Sequence, residues 1–140
     1  MNKTTDKHFL TLVNSGKTKN GTITLSWRKT PYNDDFRALQ KEVGGTFVKA
    51  HVCDELDAMR ISAWVDDDGL FKELPPTLPY PDVYGGTSYL VGNVCFLKDG
   101  TDGNQYGLNN EEIDAVETIV GRILHENNEM IIKNYEKRQS

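Results

Sequence analysis

The sequence predicts an α+β protein: a twisted antiparallel sheet of about five or six strands, one short helix and a long C-terminal helix. Three observations predict it. Apolar residues alternate with a period of two in GTITLSW and TFVKAHVC, the pattern of half-buried strands. They recur at helical spacing in FRALQKEV and again from Ile113 onward, the pattern of amphipathic helices. Glycine-bearing breaks such as NSGKTKNG, Gly44-Gly45 and DDDG separate these runs.

HFLTLVN reads as the first strand, after a loose polar terminus at residues 1–7. GTITLSW is the second, with Ile23, Leu25 and Trp27 on one face. YNDDFRALQKEVGG reads as the short helix. Asn33 is its expected N-cap, and Asp34 and Asp35 put negative charge at the positive end of the helix dipole. Phe36, Leu39 and Val43 give it a buried face, and Gly44 accepts the left-handed conformation that ends it. TFVKAHVC is the next strand, DELD a turn, AMRISAWVD another strand and DDDG a hairpin-type turn. GLFKEL pairs back or leads into LPPTLPYP. TSYLVGNVCFL is the most apolar strand and is expected near the sheet centre, with Gly92 marking a bulge or a close backbone approach. The loop KDGTDGNQYGLNN lacks the glutamate that closes a calcium loop at its twelfth position.

In the last helix Asn109 caps, Glu112 completes a capping box, and Leu108 staples to Ile113. Ile113, Val116, Val120, Ile123, Leu124 and Ile131 form one stripe. Extended over residues 109–137, the helix would run roughly 40 Å at 1.5 Å per residue. A sheet of five-residue strands is only about 17 Å deep, so the second half overhangs. A two-fold copy of the chain is the simplest cover, with Asn127 as the polar seam position. A homodimer is therefore expected.

The chain has 140 residues, which suits one domain over 1–140, its sheet region at 8–98. Sixteen Lys and Arg against 21 Asp and Glu leave a net charge of −5, which argues against a nucleic-acid polymer as partner. Cys53 and Cys95 lie in apolar runs and read as reduced, packed thiols. No apolar stretch suggests a leader or a membrane span, so a soluble protein of the host cytoplasm is expected.

The runs LQKEVGGTFVKAHV, VDDDGLFKELPPTLPYP and YLVGNVCFLKDG resemble a family of phage and bacterial proteins catalogued as a domain of unknown function. The resemblance covers roughly residues 36–98. More loosely, the size and order of elements are similar to the phage anti-Thoeris sponges. That likeness implies sequestration of a cyclic ADP-ribose signal without cleavage, and it is fold-level analogy.

The residues themselves suggest a pocket for a flat ligand. Tyr80, Tyr84 and Tyr89 lie in one stretch stiffened by Pro75, Pro76, Pro79 and Pro81. Stiff aromatics lose little entropy on clamping a ring, and stacking on a base is worth about 1–3 kcal/mol. Asn93 is a polar group in an apolar strand, and Arg60 shares a strand face with Ser62 and Trp64. Arg122, after Gly121, would reach a ligand at a dimer interface. The expected ligand-binding set is Tyr84, Asn93, Arg60, Arg122, Tyr80 and Trp64, with no cofactor, no metal and no catalytic residue. His51, His125, Asp54, Glu55 and Asp57 are the acid–base candidates. HVCDELD gathers four such groups, but alternation and a DELD turn leave no second pair of metal ligands. The expected function is capture of a nucleotide-derived immune signal, a cyclic ADP-ribose isomer or cyclic oligonucleotide. The alternatives are a protein-binding inhibitor that uses the acidic stretches at 66–68 and 109–112, and a small hydrolase.

Overall fold

The computed structural model describes residues 7–17, 23–33, 35–81, 83–126 and 130–132. In chain order the elements are β1 (His8–Lys17), β2 (Ile23–Pro31), α1 (Phe36–Val43), β3 (Phe47–Ala50), α2 (Asp54–Ala58), β4 (Ile61–Asp66), β5 (Pro76–Pro81), β6 (Thr87–Val91), β7 (Val94–Asp99), β8 (Gln105–Tyr106), α3 (Asn110–His125) and β9 (Met130–Ile132). The main sheet runs β3-β4-β7-β1-β2-β9, with β8 beside the end of β7. Its pairings are antiparallel except that of β2 with β9. β5 and β6 form a separate antiparallel hairpin. The α+β class and the antiparallel sheet are as the sequence predicts.

β7 shows why its sequence does not alternate. Val94 and Phe96 enter a large core with Leu10, Leu12, Leu25, Trp27 and Ala63, under α2, α3 and the hairpin. Cys95 and Leu97 enter a second cluster with Phe9, Leu39 and Val43, under α1. A strand covered on both faces has no polar side to display.

Local chemistry sets the boundaries. The cap of α1 is Asp35, not Asn33; its carboxylate accepts from the Arg37 N–H at 3.0 Å. Gly44 closes the helix at φ 102°, its N–H donating to the Gln40 carbonyl. Leu39 and Val43 are buried, whereas Phe36 is exposed and meets Phe47 edge-on. DELD is a second short helix rather than a turn, because Leu56 packs into the large core. TSYLVGNVCFL breaks at Gly92, φ 75°, where a Cβ would lie 2.7 Å from Leu74 Cδ1. Its first half pairs with β5 and its second half enters the main sheet. GLFKEL forms no strand. Asp66, buried, takes the Lys72 ammonium at 2.7 Å and the Asp68 N–H at 2.8 Å, and folds residues 67–73 into a clasped turn.

α3 begins as predicted, with the Asn109–Glu112 capping box and buried Leu108 and Ile113. Its end differs. The helix stops at His125, and Met130–Ile132 pair in parallel with Ile23–Leu25. Sixteen residues make a helix of about 24 Å, whose stripe of Val116, Val120 and Leu124 is buried in its own core. The overhang disappears, and with it the length argument for a partner copy. Asn127 and residues 133–137 lie outside the described residues. No helix among the described residues is long and apolar enough to cross a membrane.

Candidate functional site

At one end of the sheet β3 stops at Ala50, β4 starts at Ile61 and β7 runs on to Asp99, with α2 linking the first two along the chain. The recess between them is an open cleft of about 490 Å³, lined by Lys49, His51, Asp57, Arg60, Ser62 and Asp99. That volume suits a small organic ligand.

Asp99 organises the floor. Its carboxylate accepts from Ser62 Oγ at 3.0 Å, Gln105 Nε2 at 3.2 Å and Lys49 Nζ at 3.2 Å. Burial alone would raise its pKa, but these three donors outweigh burial and hold it below the ordinary carboxylate range. The Trp64 indole N–H donates to Ser62 Oγ at 2.9 Å, and Lys49 Nζ stands 5.7 Å from the indole centroid. On the wall, His51 Nδ1 lies 2.8 Å from Asp57 Oδ2.

Arg60 sits just past the end of α2 with φ 61°, the left-handed conformation that usually selects glycine. A non-glycine residue held there costs on the order of 1–3 kcal/mol. Its guanidinium Nε and Nη2 reach the carbonyls of Asp99 and Gly100 at 3.3 and 3.4 Å. Strain is thus tolerated at the position that points a cation into the cleft.

Residues 16–121 match a family described as a domain of unknown function, DUF3846. The chain belongs to the DUF3846 family. Membership assigns no activity, and no curated protein and no solved structure matches the chain.

Within this DUF3846 fold the predicted site residues separate. Arg60 lines the cleft with Ser62, whose hydroxyl accepts from the Trp64 indole, although Arg60 precedes the strand instead of lying on it and Trp64 is not itself a lining residue. Tyr80, opposite Ser88 in the hairpin register, is half-buried and packs against the large core. Tyr84 lies in the turn between β5 and β6, 93% exposed. Among the described residues, none of the hairpin lines the cleft. Asn93 is taken up structurally, its amide donating to the Glu42 carbonyl at 2.8 Å. Arg122 pairs with Glu55 of α2. Cys95 is no nucleophile, since burial pushes its thiol up to about 12.

Lys49 and Asp99 escaped the sequence reading, and His51 and Asp57 entered it only as acid–base candidates. The spacing His-x-x-Asp-x-x-Asp was visible. Its meaning depended on reading DELD as helix, where residues three apart share a face.

Proposed function

We propose that this DUF3846 protein captures a small, anionic, ring-bearing molecule of nucleotide type in the cleft beside Trp64 and holds it without cleavage. Sequestration of a cyclic ADP-ribose isomer or a cyclic oligonucleotide, an anti-defence role, is the concrete form of this reading. The observation that carries it is Arg60, kept in a strained backbone conformation with its charge in an open recess. Lys49 adds a second cation, Ser62 a hydroxyl and Trp64 a flat face near it. This combination suits phosphate plus ring recognition. The binding residues in this reading are Arg60, Lys49, Ser62 and Trp64, in place of the tyrosine wall. A homodimer is compatible with this site, which needs no residue of a second chain; sedimentation velocity reads that state directly.

The test is incubation with cyclic ADP-ribose isomers and cyclic oligonucleotides, removal of free ligand, heat denaturation and analysis of what is released. Intact ligand in stoichiometric amount supports capture. Altered ligand would make the protein an enzyme, and no retained ligand would remove the small-molecule reading.

One observation favours a second reading, a protein-binding inhibitor. The Asp66–Lys72 clasp displays Leu70 and Phe71, the latter 90% exposed, among Asp67, Asp68 and Glu73. An apolar knob with acidic neighbours fits a partner with a basic-rimmed apolar pocket. Loss of host-enzyme inhibition in Phe71→Ala, with cyclic-nucleotide capture intact, would support it.

A further inference from the structure

We propose that His51, Asp54 and Asp57 form a binding site for a divalent transition-metal cation, Zn²⁺ foremost, on the wall of the cleft. The ligand atoms of the three side chains all lie within 4.8 Å of one another. In a tetrahedral site with bonds near 2.05 Å, neighbouring ligand atoms are about 3.3 Å apart. His51 Nδ1 and Asp57 Oδ2 are already at 2.8 Å. All three side chains are exposed, so small rotations about their χ angles bring the third into range.

The backbone beneath them is fixed. Val52 and Leu56, interleaved with the triad on either side of Asp54, are buried in the large core. The Asp57 N–H donates to the Cys53 carbonyl at 3.2 Å, and the Arg122–Glu55 pair ties α2 to α3. The triad therefore presents its donors from one anchored seven-residue stretch, His51 before the helix and two aspartates on one of its faces.

The donor set indicates the cation class. Magnesium and calcium prefer oxygen alone, whereas an imidazole nitrogen with carboxylates suits zinc, cobalt or nickel. Of the two cations that line the cleft, Lys49 is matched by Asp99, and Arg60 is turned to the carbonyls of Asp99 and Gly100. His51 and Asp57 line the cleft, so coordination positions left by the protein open into it. A cation there is also placed to meet an anion held by Arg60. The expectation of no metal rested on reading DELD as a turn, and the helix removes that ground.

The experiment is calorimetric titration of the purified full chain with ZnCl₂, repeated with CoCl₂, MgCl₂ and CaCl₂. One Zn²⁺ per chain is expected, with Mg²⁺ and Ca²⁺ at least about tenfold weaker. His51→Ala, Asp54→Asn and Asp57→Asn are each expected to weaken Zn²⁺ by at least about tenfold, with circular dichroism unchanged. Cys53→Ser, the control for thiol binding, keeps the full affinity. Bound Co²⁺ is expected to give visible absorption that Asp54→Asn abolishes. Zn²⁺ that fails to bind at millimolar concentration, or binds equally to all three variants, overturns the site. The proposal stands apart from the capture reading. Asp54 does not line the cleft, so Asp54→Asn in EDTA loses the metal and retains any cyclic ADP-ribose binding. Conversely, Arg60→Ala that loses the nucleotide and keeps Zn²⁺ affects only the capture reading.

Discussion

The β5–β6 hairpin and the cleft at the end of β3, β4 and β7 are built from opposite materials. The hairpin is rich in proline and tyrosine, and rigid. It is fastened by Asn14 Nδ2 to the Pro76 carbonyl at 2.7 Å and by the Gly92 N–H to the Pro75 carbonyl at 2.8 Å. Yet Tyr80 and Tyr89 lean on the core, and Tyr84 projects from the turn. The cleft has no tyrosine, tryptophan or phenylalanine among the described residues that line it but is concave, and two cations and a hydroxyl converge on it, with the Trp64 indole bonded to that hydroxyl from outside the lining. The difference teaches that stiffness is a local property, readable in proline content, whereas concavity comes from strands of unequal reach meeting a helix.

Four measurements sharpen or break this comparison. The largest effect is expected at Gly92, the joint between the hairpin and the sheet. Gly92→Ala adds a Cβ against Leu74 in a left-handed conformation and is expected to cost about 2–4 kcal/mol in urea unfolding. A cost near zero would mean the hairpin is loosely attached.

Next is Arg60→Ala. Losing a charged hydrogen-bond donor to a bound anion is worth about 1.5–3 kcal/mol, or roughly 10–100-fold in affinity. Arg60→Gly, which relieves the backbone, should lose the ligand equally while stability stays within about 1 kcal/mol of the parent. Ligand binding unaffected by both would empty the cleft of its role.

A smaller effect is expected from acid. The Lys72 ammonium first, then the Asp68 N–H, hold Asp66 below its ordinary range despite its burial, and Asp99 is held below its own by Gln105, Ser62 and Lys49. Groups with depressed folded pKa values contribute stability above the unfolded value near 4, and that contribution is lost as pH falls through the folded value. Thermal unfolding from pH 6 to 2 should therefore show Tm falling below about pH 4, with a shallower fall in Asp66→Asn. A parallel fall in parent and variant would exclude Asp66 from the acid limb.

The smallest effect is expected at the hairpin tip. Tyr84→Ala should change stability by no more than about 0.5 kcal/mol and leave capture intact, since the ring is almost wholly exposed. Abolished capture would return the binding site to the hairpin.

Much of the scaffold was legible because it is encoded locally. The Asn109–Glu112 capping box, the Gly44 stop and the alternation in β2 and β3 are signals within a few residues. Two failures share a cause. The end of α3 and the nature of DELD depend on distant partners: β2 pairs with Met130–Ile132, and the large core takes Leu56. Helical periodicity through Ile131 was real in the sequence, but strand pairing overrode it. In the cleft, Arg60 and Trp64 were found by strand spacing, while Lys49 and Asp99 were invisible because they are 50 residues apart.

The parallel seat of Met130–Ile132 beside Ile23–Leu25 carries a consequence for biosynthesis. Residues 23–25 of β2 leave the ribosome well before residues 130–132, which cover their outer rail. Until then a nascent chain bears an uncapped strand able to recruit its neighbours. Clones cut short of residue 130 should therefore form inclusion bodies where chains that include the β9 segment fold.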